Sequence, residues 1–295
     1  MTLRLATLIL IAAATLASTP ADARMFGKAA KASPVASDTT VAEVRQALDE
    51  ARLLDAGRFL DQALLAGVKD ARLTLLGGDL NLARGRFGPA LAAYKSVEND
   101  PAAQARSHEG QGVILSLMGR SDEAFAMLQK AVAEDPSMWR AWNALGSEYD
   151  RRAQWAEAEA AYAHGLETPG GAALVLNNRG YSRLLQHRPQ EAVADFVAAL
   201  QKKPDFPEAR TNLRLAMAFA GDYERSIAGG APDDQAMLLN NAGVAAGARG
   251  DYVKAEDLLD RAVALKSEYY GRASENLKIV RAMAGRDGSA SLVQP

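Results

Sequence analysis

The sequence predicts an all-α chain, an α-solenoid of stacked two-helix repeats, and three observations predict it. Gly78, Gly112, Gly146 and Gly180 stand 34 residues apart. Ala90, Ala124, Ala158 and Ala192 keep the same interval, and each is followed four positions later by a large residue, Tyr94, Leu128, Tyr162 and Phe196. Pro101, Pro136, Pro169 and Pro204 close the units. A unit of this length cannot bury its apolar face alone, so it must stack on copies of itself.

Within each unit the columns describe two amphipathic helices, A and then B. Glycine on A and alanine on B let the two axes approach closely and leave room for large neighbours. Small residues follow on helix B at Val97, Ala131, Gly165 and Ala199. Gly85-Arg86, Gly119-Arg120, Gly221-Asp222 and Gly250-Asp251 mark the turns ahead of helix B. Proline then stops helix B and opens the next helix A. A degenerate helical pair over 41–67 precedes the array, and one helix over 269–284 caps it, because a stack must hide its last apolar face.

One unit breaks the period. Arg214 stands where a glycine is due, and the next glycine column, Gly243, follows 29 residues later. Gly229, Gly230 and Pro232 cannot continue a helix. Helix B of this unit is therefore expected to be cut to about two turns, ending near Ala228, with Asp233 and Asp234 opening the next helix.

The ends read differently. Arg4, the apolar run Leu5–Ala17 and the small-residue site Ala21-Asp22-Ala23 predict a cleaved export signal over 1–23. Residues 24–38 are small, polar and slightly basic, and are expected to form a flexible linker. The repeat domain is expected over 39–284 and a disordered tail over 285–295. The chain has no cysteine, so disulfides, thiolate metal sites, thiol catalysis and a lipoprotein anchor are all excluded. A formal charge of −2, with arginines scattered among acids, gives no basic field for nucleic acid.

Catalytic chemistry finds no foothold. His108, His164 and His187 fall in unrelated places, with no partner at metal-ligand spacing, and no nucleophile elbow, phosphate loop or dinucleotide fingerprint occurs. The expectation is a non-enzyme without cofactor, metal or small-molecule substrate.

The unit from Trp139, WRAWNALGSEYDRRAQWAEAEAAYAHGLETPG, places Trp142, Leu145, Gly146, Tyr149, Ala158, Tyr162 and Gly165 in successive columns. It resembles the tetratricopeptide repeat (TPR) family, whose pattern is W-x2-L-G-x2-Y…A-x3-F…P. The resemblance implies a right-handed superhelix of about five to six repeats, with a partner-binding groove lined by helices A. Carried over by register, the groove residues are Arg106, Arg140, Asn143, Ser147, Arg151, Asn177, Tyr181, Phe219 and Asn240. Asparagine can bond both the N–H and the C=O of a peptide backbone, so Asn143, Asn177 and Asn240 are candidates for clamping main chain. Asn178, Asn212 and Asn241 form a second file, closer to the helix interface. The family's lysine-bearing carboxylate clamp is not reproduced.

The forms NNRGYS and NNAG, the interrupted unit EARTNLRLAMAFAGDYERSI and the tail SEYYGRASENLKIVRAM further resemble TadD-type proteins of the Flp/Tad pilus apparatus. That likeness implies a periplasmic scaffold for pilus assembly or secretion. Its partners would be apparatus proteins such as the secretin, and it would meet the outer membrane only through them. The alternative is a periplasmic adaptor for outer-membrane protein assembly or cell-wall synthesis.

Overall fold

The computed structural model describes residues 34–265 and 270–286. The expected export signal, residues 24–33 of the expected linker and the tail beyond Arg286 lie outside the described residues. Fifteen α-helices and no strand occur among the described residues. They are α1 (Pro34–Asp49), α2 (Leu53–Leu65), α3 (Ala71–Ala83), α4 (Phe87–Lys95), α5 (Gln104–Leu117), α6 (Ser121–Glu134), α7 (Trp139–Arg151) and α8 (Trp155–Glu167). There follow α9 (Ala172–Leu185), α10 (Pro189–Lys202), α11 (Pro207–Ala220), α12 (Tyr223–Ile227), α13 (Gln235–Ala248), α14 (Tyr252–Ala264) and α15 (Tyr270–Arg286). Helix α1 starts inside the expected linker, and α15 ends just inside the expected tail.

Two compact units divide at Glu148/Tyr149, within α7. In the first, α1 packs on α2 and α3, α3 on α4 and α5, and α5 on α6. In the second, α9 packs on α8 and α10, α11 on α9, α10, α12 and α13, and α13 on α14 and α15. Pairing of neighbours, then of every second helix, is the local pattern of a helical solenoid.

The glycine column has a steric cause. A Cβ on Gly78 would lie 2.7 Å from the Tyr94 ring, on Gly112 2.6 Å from Leu128, on Gly180 2.9 Å from Phe196 and on Gly243 2.6 Å from Leu259. The large residue of helix B thus sits on the glycine of its own helix A. Tyr94, Leu128, Phe196 and Leu259 are wholly buried there, each worth roughly 1.5–3 kcal/mol of apolar transfer. The companion alanines Ala90, Ala124, Ala158, Ala192 and Ala255 are buried with them.

Seven positions beyond the glycine column, each A–B turn places one residue in the left-handed region. Gly85, Gly119, Gly221 and Gly250 do so as expected, but Ala51 (φ 55°), Ala153 (φ 54°) and His187 (φ 59°) occupy the same turn position in their repeats. Three repeats therefore close the turn with a residue that carries a Cβ penalty there.

The interrupted repeat is shorter than the sequence suggests. Helix α12 has five residues and ends at Ile227, with Ala228 extended beyond it. Arg214, in the glycine column of α11, points its guanidinium to that end: Nη1 donates to the carbonyls of Ala228 (2.8 Å) and Ser226 (3.3 Å). The truncation frees the volume, and the arginine satisfies carbonyls that a longer helix would have bonded itself.

Candidate partner-binding face

The helices A that carry the expected groove residues stand side by side within each unit, and inter-helix hydrogen bonds fix their side chains. In the first unit Arg106 of α5 is about one-third exposed. Its guanidinium bonds Asp79 of α3 at 2.5 Å, lies 3.4 Å from Glu109 and stacks 5.8 Å from the centroid of the Tyr94 ring. The Tyr94 hydroxyl donates to the same Asp79 oxygen, and burial pushes the Tyr94 pKa up. Burial also raises Glu109 above the usual carboxylate range, against the pull of Arg106 and Arg140. Arg140 is exposed on α7, its guanidinium 4.7 Å over the Trp139 ring. Asn143 is half-buried, and the Ser147 hydroxyl donates back to the Asn143 carbonyl at 3.2 Å.

The second unit holds Arg151, Asn177, Tyr181, Phe219 and Asn240. Arg151 is exposed at the end of α7. Asn177 and Asn240 are 9% and 7% exposed, and each is part of a ladder between successive A helices. Asn212 Nδ2 donates to Asn177 Oδ1 at 3.0 Å, and Asn276 Nδ2 donates to Asn240 Oδ1 at 2.9 Å. Each buried amide also bonds its neighbour, Asn178 at 3.2 Å and Asn241 at 3.3 Å. The two asparagine files thus meet each other, so in this structure the expected clamps of α9 and α13 engage the next helix with their carbonyls. Tyr181 packs on Ala192, Phe196 and Ala216, and burial raises its pKa. Phe219 packs on the core around Tyr223 and Leu239.

Sequence register does not show the buried charge beneath this face. Asp195 of α10, 3% exposed, takes Arg179 on both oxygens (2.7 and 3.0 Å) and Arg183 at 2.9 Å, and Arg183 reaches Glu159 at 2.6 Å. The available signal is Arg179 and Arg183 at i and i+4, in columns that hold Leu145 and Leu213, and Leu115 and Met217, in other repeats.

A second concealed pattern links consecutive helices A. Within the first unit the Ser116 hydroxyl donates to fully buried Glu148 at 2.6 Å, and Ser121 donates to its other oxygen. Within the second unit the Ser182 hydroxyl donates to Asp150 at 2.6 Å, and Tyr162 donates at 2.8 Å. Both pairs join the same two columns, with donor and acceptor exchanged. Burial raises the Asp150 pKa to about 6, against the lowering effect of those two hydroxyls.

No group of three or more His, Cys, Asp or Glu able to hold a metal ion occurs among the described residues. No described helix is long and apolar enough to cross a membrane.

No protein-family model matches the chain, and no curated protein matches it in sequence. Solved structures do match. The Cut9–Hcn1 hetero-tetramer of the APC/C aligns with TM-score 0.63 at 16% identity, over 82% of this chain and 49% of that one, so this chain spans about half its length. A thermophilic TPR protein of Thermus thermophilus aligns with TM-score 0.55 at 18% identity, over 61% of this chain and 98% of that one. The C-terminal part of a TPR repeat-containing protein from Cytophaga hutchinsonii aligns with TM-score 0.53 at 16% identity, over 80% and 99% respectively. At these identities the likeness speaks to architecture, and the architecture is an all-α solenoid of the TPR type.

Proposed function

We propose that this chain is a non-catalytic scaffold that binds other proteins through the face formed by its helices A, and that it serves assembly of a Flp/Tad-type pilus in the bacterial envelope. The observation that carries the scaffold reading is the set of side chains on that face. Each unit exposes or half-exposes arginine, asparagine, serine or tyrosine there, over a core made by the repeats alone. Such groups can bond an extended partner segment along its backbone and side chains. The Cut9–Hcn1 neighbour is part of a hetero-tetramer, which agrees with a fold suited to holding a second chain.

The envelope and pilus assignment rests on the export-signal pattern and on the NNRGYS, NNAG and tail motifs. The secretin is the partner it nominates. Arg140 is the most informative single residue, being exposed, cationic and held in place by stacking on Trp139.

The test is direct binding between the purified chain and the periplasmic portion of the cognate secretin, followed by calorimetry. Micromolar or tighter binding, weakened at least about tenfold by Arg140→Glu, is the expected result. Absence of secretin binding would remove the pilus reading. Full-affinity binding by Arg140→Glu would move the docking surface off this face.

A further inference from the structure

Sixteen residues after its glycine, each regular repeat carries a large residue: Tyr94, Leu128, Tyr162, Phe196 and Leu259. In the interrupted repeat the two columns trade occupants, with Arg214 in the first and Gly230 in the second. A Cβ on Gly230 would strike Leu238 of α13, so nothing larger fits there. Arg214 lines a cleft of about 10 Å³ between α11 and α13, room for one water or one ligand oxygen. Leu215, Ala218, Leu238 and Ala242 give it apolar walls, Asn241 stands among them, and no carboxylate lines it. No other repeat has a cation in this column.

The donors in the cleft outnumber what they bond. Arg214 uses only Nη1, on the carbonyls of Ser226 and Ala228, and no described carboxylate pairs with it. Its Nε and Nη2 hydrogens are left over. Asn241 accepts from Asn240 through Oδ1, and its Nδ2 donates to no described atom. Among the described residues no side-chain nitrogen is both buried and unbonded, so these donors are open to solvent.

We propose that this cleft takes the carboxylate of a glutamate side chain on the partner segment, an inference that rests on the scaffold reading above. A guanidinium with no acid beside it and a free amide donor together suit an anionic acceptor, and a carboxylate answers both with two oxygens. The apolar walls decide which carboxylate. A glutamate brings two methylenes behind its head, which those walls can cover. A chain end brings its own amide N–H instead, and the four apolar walls offer that donor no acceptor. The irregular repeat thereby adds to the face a side-chain-reading position that the regular repeats lack.

NMR titration of the full chain with acetyl-Ala-Ala-Glu-Ala-Ala-amide tests this without any pilus protein. The peptide should shift the Arg214 Nε–H and Asn241 Nδ2 resonances and bind at least about tenfold tighter than its glutamine counterpart. Because Arg214 also holds the end of α12, the informative variant is Asn241→Asp. It keeps the acceptor that Asn240 uses and leaves Arg214 in place, but it supplies a carboxylate to the cleft from within. Binding of the glutamate peptide should fall at least about tenfold in that variant, with the glutamine peptide and the melting transition unchanged. Equal affinity for the two peptides would overturn the proposal, as would full affinity in Asn241→Asp. Tighter binding of acetyl-Ala-Ala-Ala with a free C-terminal carboxylate would assign the cleft to a chain end and overturn the side-chain reading. A failed peptide beside intact secretin binding removes this proposal alone, whereas a bound peptide without secretin binding removes the pilus reading alone.

Discussion

The Arg214 guanidinium donates to the Ala228 carbonyl across 2.8 Å, from a column that other repeats fill with glycine. One arginine thereby closes the end of a five-residue helix that has little else to hold its last carbonyls. Arg214→Ala should cost about 1.5–3 kcal/mol, the range for a charge-assisted hydrogen bond left unmade, and should raise hydrogen exchange first over 223–231. Arg214→Gly, the column consensus, should be no better, because α12 lacks the large residue that glycine elsewhere receives. Denaturant melts of the two variants check both statements.

Gly77 and Gly78 are adjacent on α3 and should respond with opposite signs to alanine. A Cβ at Gly77 meets nothing within 4 Å, whereas one at Gly78 strikes the Tyr94 ring. Gly77→Ala should stabilise by about 0.5–1 kcal/mol through helix propensity. Gly78→Ala should destabilise by about 1–3 kcal/mol through overpacking. Thermal unfolding of the pair measures the difference.

Ala51, Ala153 and His187 offer gains of another kind. Each holds a left-handed turn that glycine holds in the other repeats. Replacement by glycine should relieve roughly 1–2 kcal/mol of steric cost and lose part of it to unfolded-state entropy, for a net gain of about 0.5–1 kcal/mol per site. Additive increases in melting temperature across the triple variant would support this, and losses would refute it.

Asp150 predicts a pH signature. Its folded pKa, raised to about 6 by burial from an ordinary value of 3.8, means that the folded chain binds this proton more tightly than the unfolded one. Stability contributed by the site is therefore full below about pH 4, falls as pH rises through 6 and is flat above, an effect on the order of 3 kcal/mol. Asp150→Asn should remove that slope. The check is the difference between the two pH–stability curves over about pH 4–7, which isolates this carboxyl from the others.

The asparagines need a stability control in any binding assay. Asn177→Ala removes a buried acceptor that Asn212 uses, so a loss of about 1–2 kcal/mol in folding should accompany any loss of partner capture. Asn212→Ala should destabilise by a similar amount. If Asn177→Ala alone abolishes binding at temperatures where both variants remain folded, Asn177 touches the partner; equal loss in both would assign the effect to the ladder.

Gly78, Gly112, Gly180 and Gly243 are legible in the sequence because steric exclusion leaves one residue type at a close helix crossing, so the constraint repeats. The turns at Ala153 and His187 are not, because a left-handed residue other than glycine leaves no compositional mark. Register places Asn177 and Asn240 on the groove wall, but it does not show that Asn212 and Asn276 reach them. Hydrogen bonding between side chains some 35 residues apart depends on rotamers, which a column of letters does not encode. Arg179, Arg183 and Asp195 stay hidden for the same reason, since a charge at a buried column reads as surface until its partners are placed.

The exchanged pairs Ser116–Glu148 and Ser182–Asp150 bear on how such an array can change its length. The repeat that contains α7 presents a carboxylate to both neighbours, and each neighbour answers with a hydroxyl. A tandem copy of that repeat would set the Asp150 of one copy against the Glu148 of the next, two acids at a packed joint where the serine hydroxyl is lost and the Tyr162 hydroxyl of the first copy is the donor that stays. Excision would instead bring Ser116 to Ser182, a harmless meeting. Loss of this repeat should therefore leave a better-packed joint than its duplication would.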